Sequence, residues 1–276
     1  MLKGSSSGKR THALSLLQHE IADSEVRGMA VKALEKIPNR YLAYFMPQLV
    51  QALKFEAHHK NALGDMLLSR AIKSTRIVGH AYFWALNSAL HDPYSFERLY
   101  LHYERFLFLC PHYRKELCIQ TRINEVIIDT NYMSINNLHM KVFELTDHIN
   151  NEIEKVKADL DIDYFILPHV PDIPLNRIEE FNTRNSKNHT VMITCETLSN
   201  SENEEVKALF KQGKDLIKDQ IAIQAFRIFD NFCLEKSVGG KPFNLCMTTY
   251  TVLATGYKFG YIEIVPNSEN LLHIHK

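Results

Sequence analysis

Lys211-Gln-Gly-Lys-Asp-Leu-Ile-Lys-Asp-Gln220 is the stretch on which the reading of this chain turns. The residues before it, Glu204 to Phe210, alternate loosely, as a strand does. After it, Leu216, Ile217, Ile221, Ile223, Phe226, Ile228 and Phe229 recur at helical spacing. The pattern predicts a strand, a turn at Gly213 and a helix whose first turn carries Asp215 and Asp219. A lysine at a strand end, steadied by an acid on the next helix, suits phosphate oxygens. On these ten residues alone, ordinary surface charge at the end of a strand is the better reading, because lysine-rich turns are common. The flanks alter that judgement.

Composition sets the outer bounds. The 276 residues suffice for one large or two ordinary domains, and 45% hydrophobic with 23% charged residues is the balance of a globular protein. The net charge is zero, so no general affinity for nucleic acid or anionic membrane follows from charge. Five cysteines, Cys110, Cys118, Cys195, Cys233 and Cys246, lack paired metal spacing and fit reduced thiols of a cytoplasmic protein. No signal-peptide core follows Lys3, and no run is long enough to span a membrane. The fourteen histidines form no metal pattern, and His189, His273 and His275 read as ordinary side chains.

The first part of the chain reads as helices. Residues 1–12 are polar and expected to be disordered. Asp23-Ser24 offers a helix cap before the stripe Val26, Met29, Ala30, Ala33, Leu34 and Ile37. Leu42 to Leu53 gives a further stripe, in which Pro47 either kinks a helix or starts a new one. More helices are expected at Ala62–Lys73, Ile77–Leu90 and Ser95–Leu109, and helical spacing continues from Tyr113 to Leu160. Short paired helices suggest an armadillo-like α-solenoid over 13–165. Trp84, with Tyr82 and Phe83, reads as core of that solenoid rather than as a stacking platform.

Pro168, Pro171 and Pro174 rule out helix and place a domain boundary near 165. Beyond it the chain reads as a smaller α/β lobe over 166–276. Asn182–His189 reads as a polar turn, Thr190–Thr197 and Val206–Lys211 as strands, Leu216–Leu234 as a helix and Gly239–Pro242 as a loop. Met247–Thr255 and Tyr261–Val265 read as a hairpin. Strand, strand, helix, strand, strand is the plan of a kinase N-lobe, shared by several α+β domains.

With these elements in place, the sequence resembles the phosphoinositide 3-kinases, over their helical accessory domain and kinase N-lobe. Pro47-Gln-Leu-Val-Gln-Ala-Leu-Lys54 matches a signature of the family's helical domain. So do Leu68-Ser-Arg-Ala71, Gly79-His80 and Phe83-Trp84-Ala-Leu86. Phe210 to Gln220 matches "FKxGDDLRQDx", and Tyr250–Gly256 with Gly260–Val265 matches the strand pair that leads into the hinge. Gly79-His80 and Ile262-Glu-Ile-Val265 look more like the class I enzymes. The signatures in this order are specific; any one alone is weak.

The resemblance implies an α+β multidomain chain, an armadillo-like α-solenoid followed by the N-lobe of a lipid kinase. It implies ATP with Mg2+ as cofactor, a phosphoinositide lipid as substrate of a complete enzyme, and a regulatory protein on the helical domain. It implies an ATP site made by Ser186 and Lys187 in the phosphate loop, Lys211 at the α-phosphate, Asp219 on the helix and Tyr250 beneath the adenine. Glu263 and Val265 are the implied hinge residues, acting through backbone groups. The phosphate loop lacks the family's lysine–proline pattern. Lys214, Ile217 and Lys218 stand where the family has an acid, an arginine and a glutamine. The 276 residues contain neither "DRHxxN" nor "DFG", so no catalytic residue or metal ligand is assigned. The expectation is a truncated lipid kinase, cytoplasmic and peripheral at membranes. The alternative is a non-catalytic helical scaffold, a pseudokinase that binds a partner protein.

Overall fold

A computed structural model describes residues 12–137, 139–184, 189–198, 205–235, 237–238, 241–242, 245–265 and 268–269. It combines helices with an antiparallel sheet, and its contacts divide into two compact units. The first comprises residues 1–118, 215–247 and 254–258, and the second 119–214, 248–253 and 259–276.

The first unit begins with a helical turn over 12–15 and continues through α1 (Ser24–Leu34), α2 (Asn39–Tyr44), α3 (Met46–Leu53) and α4 (Ala62–Lys73). A π-helical turn (Thr75–Gly79) leads into α5 (His80–Ala89), followed by α6 (Phe96–Leu109). Asp23 caps α1 as its sequence promised, accepting from the Glu25 N–H at 2.8 Å. Pro47 falls in the first turn of α3, where its missing N–H is harmless, so a new helix starts there. α5 is apolar on every side and buries Tyr82, Phe83, Trp84 and Leu86, as a central helix must. Trp84 is fully buried, in accordance with its reading as core. Gly79 is required by close packing, since a Cβ there would lie 2.9 Å from the Ala71 carbonyl oxygen and 3.0 Å from the Phe106 ring.

A buried arginine and a half-buried one tie these helices together. Arg27 on α1 donates to the carbonyls of Leu17 (3.0 Å), Ile21 (3.2 Å) and Ala52 (3.1 Å) and forms an ion pair with Glu56 at 2.6 Å. Arg70 on α4 donates to the carbonyls of Glu35 and Ile37 beyond the end of α1. Each fork satisfies carbonyls that helix ends leave without partners. α9 (Ile217–Glu235) belongs to the same unit, where Gln48 donates to Gln224 at 3.0 Å and the Arg227 guanidinium lies over the Tyr44 ring.

The second unit is built on α7 (Pro111–Asn136), of which it holds the part from Ile119 onward, and α8 (Val142–Leu160). Its strands are β1 (Leu175–Arg184), β2 (Thr190–Thr197), β3 (Glu205–Gln212), β6 (Val252–Gly256, shared with the first unit) and β7 (Phe259–Glu263). They pair antiparallel between β1 and β2, β2 and β3, and β3 and β7, in the order β1-β2-β3-β7-β6. A minor ladder joins β4 (Ser237–Val238) to β5 (Lys241–Pro242), where a loop was expected. Ile119, Ile123 and Ile127 of α7 and Leu145, Ile149 and Ile153 of α8 share one core with Phe181, Val191, Ile193, Ala208, Phe210 and Tyr261 of the sheet.

Three features depart from the sequence reading. The division falls at 118/119 rather than near 165, because the isoleucine faces of α7 and α8 are spent on the sheet. The strand before the hairpin turn begins only at Val252. β1 was not foreseen, and Asn182–Arg184, expected in a turn, continue it. Its buried residues Leu175, Ile178 and Phe181 are spaced by three, which is not strand periodicity. Register shifts between Leu175 and Arg177 and between Ile178 and Glu180 insert the extra residues that return each apolar side chain to the core face. Of the segment 1–12, residues 1–11 lie outside the described ones, as do His273 and His275.

Replacing Arg27 by Met leaves Glu56 buried without its cation, and a destabilisation of about 3–5 kcal/mol is expected in urea denaturation. A loss under about 1 kcal/mol would show that the fork is dispensable. Asp92 generates a second expectation. Lys54 at 2.9 Å, then Ser95 and the Tyr94 N–H, hold its carboxylate down to about 2. A depressed carboxylate contributes stability that is complete above its unfolded value near 4 and is lost as pH falls toward the folded one. The acid limb of unfolding between pH ~4 and ~2 should therefore flatten in Asp92→Asn. An unchanged limb would overturn that account.

Candidate functional site

The residue parity of β3 decides what the sheet offers. Ala208, Phe210 and Gln212 are buried on the face covered by α7 and α8. Lys207, Leu209 and Lys211 therefore share the other face. Register extends this face across neighbouring strands: Met192 of β2 stands opposite Leu209, and Ile262 of β7 stands opposite Leu209 on the far side. Met192, Leu209 and Ile262 are all half-buried, so they form an apolar row across three strands. Lys211, also half-buried, lies two residues along β3 from Leu209 and pairs with Gly260. An apolar row with one cation at its end can receive a flat apolar ring and an attached anion.

The buried side is locked by polar contacts from α7. Asn131 donates to the Gln212 side chain at 2.7 Å and to the His189 carbonyl at 3.3 Å, beside the ends of β3 and β2. Two turns earlier on the same helix, Asn124 accepts from the Tyr261 hydroxyl at 3.0 Å. Tyr261 also packs against Phe210 and stacks on His169, with ring centroids 5.2 and 5.1 Å apart. Burial pushes the His169 imidazole down to about 3, so it stays neutral in this stack. α8 performs the same service at the sheet edge, where the Asn150 amide bonds both the N–H (2.9 Å) and the carbonyl (2.7 Å) of Ile178 at the bulge.

The hinge residues follow from the same parity. Glu263 stands opposite Ala208, so its side chain is on the face away from Lys211. Its carboxylate accepts from the Thr251 N–H at 2.7 Å, and its own N–H donates to the Thr251 carbonyl at 2.8 Å. Ile264 donates to the Lys207 carbonyl at 3.3 Å. Among the described residues nothing accepts from the Val265 N–H, while its carbonyl accepts from Ser268 Oγ at 2.6 Å. Tyr250, half-buried, lies one residue before Thr251.

Residues 8–119 match the phosphoinositide 3-kinase family, accessory domain (PIK domain). The match ends one residue past the 118/119 division. Over 97% of its length the chain is 27% identical to phosphatidylinositol 3-kinase 2 of Dictyostelium discoideum, covering 14% of that protein. It is 30% identical over 95% of its length to the phosphatidylinositol 4-phosphate 3-kinase C2 domain-containing subunit alpha of Pongo abelii, covering 15% of it. It is 26% identical over 96% of its length to the human phosphatidylinositol 3-kinase C2 domain-containing subunit gamma, covering 17% of it. Residues 8–119 carry the accessory domain of the phosphoinositide 3-kinase family, and the chain is similar to phosphatidylinositol 3-kinases over nearly all of its length. The similarity to these relatives covers both the accessory helices and the sheet, while the chain spans about one sixth of their length.

Of the residues expected at the site, Lys211, Tyr250, Glu263 and Val265 all lie in the second unit, and β3 with β7 brings Lys211 and the strand that carries Glu263 side by side. Asp219 is on the first turn of α9, in the first unit. Ser186 and Lys187 lie outside the described residues. The row Met192, Leu209 and Ile262 escaped the sequence reading, although the alternation of β2 and β3 carried the signal. Asn124, Asn131 and Asn150 escaped it because a lone asparagine on an apolar helix face gives no hint of its partner.

Proposed function

We propose that this chain is the accessory-helix and nucleotide-facing part of a phosphatidylinositol 3-kinase, an enzyme that moves a phosphate from ATP to the inositol ring of a phosphoinositide lipid. In this reading the accessory helices form an armadillo-like solenoid and the sheet is the N-lobe of the kinase. The observation that carries it is the open face of β2, β3 and β7, where Met192, Leu209 and Ile262 form a surface for adenine and Lys211 stands where phosphate follows. The Val265 N–H supports it as the backbone donor for the adenine edge, and Tyr250 is assigned to the same site by family resemblance. Among the described residues there is no group of three or more His, Cys, Asp or Glu side chains that could hold a metal; in this reading Mg2+ accompanies ATP by family resemblance alone, and no step is routed through it. What this part contributes is nucleotide orientation: a fixed apolar platform, a backbone hinge and one cation.

The second reading is a non-catalytic scaffold that binds a partner protein. Two measurements separate the claims. Mg-ATP should bind the chain with Kd about millimolar or weaker, roughly 4 kcal/mol, because an open face buries little of the ligand. Lys211→Ala should abolish the calorimetric signal; unchanged affinity would put the site elsewhere. Purified chain with radiolabelled ATP and phosphatidylinositol vesicles should incorporate no phosphate above a protein-free control, and incorporation would mean that catalytic groups are present after all.

A further inference from the structure

One groove in the accessory-helix unit has no part in the proposed nucleotide site. It has a volume of about 850 Å3 and is lined by His59 and Lys60, by residues 98–108 except Leu99 and Phe106, and by Arg114 at the start of α7. Its apolar lining includes Tyr100, Leu101 and Phe108, the last 78% exposed. Its charges are four cations, Lys60, Arg98, Arg105 and Arg114, against one carboxylate, Glu104. Glu104 accepts a hydrogen bond from Tyr100. Arg98 is anchored on the carbonyls of Glu56 and Leu53, and Arg105 reaches Asp65 only at 3.7 Å. Among the described residues no carboxylate pairs with Lys60 or Arg114. The chain as a whole is neutral, so this is a local excess of positive charge.

His102 adds an independent observation. It lines the groove but is only 6% exposed, and its Nδ1 has no hydrogen-bond partner among the described residues. The ring is held in place by Gly64, where a Cβ would come within 2.4 Å of Cε1. Burial first, then Arg105 and Arg98, push its imidazole down to about 4, so it is neutral and sits in a positive field. A buried polar atom left unsatisfied costs free energy, so the wall of this groove holds one unmet hydrogen-bonding group.

We propose that this groove binds a small organic phosphate, its phosphate held by Lys60, Arg105 and Arg114 and its apolar body laid on Tyr100, Leu101 and Phe108. Arginine forks and lysine suit phosphate oxygens, and the volume is that of a small-molecule site. The concave form and the carboxylate inside it disfavour a flat anionic bilayer. The phosphate can belong to a soluble metabolite or to a lipid headgroup.

The test is calorimetric titration of the full chain with 1-naphthyl phosphate, inorganic phosphate and 1-naphthol. Naphthyl phosphate should saturate with Kd about 1 mM or tighter, with inorganic phosphate at least about tenfold weaker and naphthol unsaturable. The double variant Arg105→Gln/Arg114→Gln should weaken naphthyl phosphate about tenfold or more with an unchanged circular dichroism spectrum and melting midpoint. Lys211→Ala should leave this binding intact, which separates the groove from the nucleotide site. Competition by inositol hexakisphosphate would point to a soluble ligand, and competition by dioctanoyl phosphatidylinositol 4-phosphate to a lipid headgroup; either supports the proposal. No saturable binding, equal binding by the double variant, or loss in Lys211→Ala would each overturn it.

Discussion

Two asparagines on one helix face determine what this sheet can do. Asn124 and Asn131 are two turns apart on α7, hence on the same face, and they bond Tyr261 and Gln212 on adjacent strands. Both are almost wholly buried, so each bond is one that a slipped register would leave unmade. A slip of one residue along β3 would bring Lys211 into the core and Phe210 to the open face. The polar contacts and the ring packing of Phe210 on Tyr261 thus enforce the same register. The cation and the apolar row of the proposed nucleotide face depend on that register and on nothing local to themselves.

The accessory helices obey a different constraint. Short helices multiply the number of ends, and each end leaves carbonyls without partners. Arg27 and Arg70 meet this need by reaching from the middle of one helix to the ends of others. A lysine would supply charge but not the planar fork that reaches several carbonyls at once. Burying Arg27 is tolerable because Glu56 neutralises it at 2.6 Å and the remaining donors are engaged. Specific contacts thereby fix helices whose apolar faces alone would permit other packings.

How far the sequence could be read depended on whether the signal was periodic. α4 was bounded correctly from its stripe, and β2, β3 and α9 were found from alternation or helical spacing, while Pro47 left a kink and a new helix open and the structure has the new helix. β1 was missed because its bulges convert a strand's period of two into a spacing of three. The unit division was misplaced because prolines mark where a helix cannot be, not where a core ends; the isoleucines of α7 and α8 are packed against strands that follow them by tens of residues. Of the proposed site, Lys211 was singled out from its turn. Its apolar neighbours Met192 and Ile262 required the cross-strand register, which no single stretch of sequence contains.

The turn after Lys211 shows which part of a family pattern the fold needs. Gly213 has φ of +92°, a conformation that a residue with a Cβ adopts only under strain. Asp215 Oδ1 accepts from the Ile217 N–H at 3.0 Å and so supports the first turn of α9. These two residues match the family and are sufficient to make the turn. The family's acid, arginine and glutamine are replaced by Lys214, Ile217 and Lys218, and two of those changes add positive charge near a helix N-terminus, where the backbone dipole disfavours it. Asp215 and Asp219 offset that cost on the same turn. The backbone geometry is therefore retained while the local charge has moved toward the cationic side.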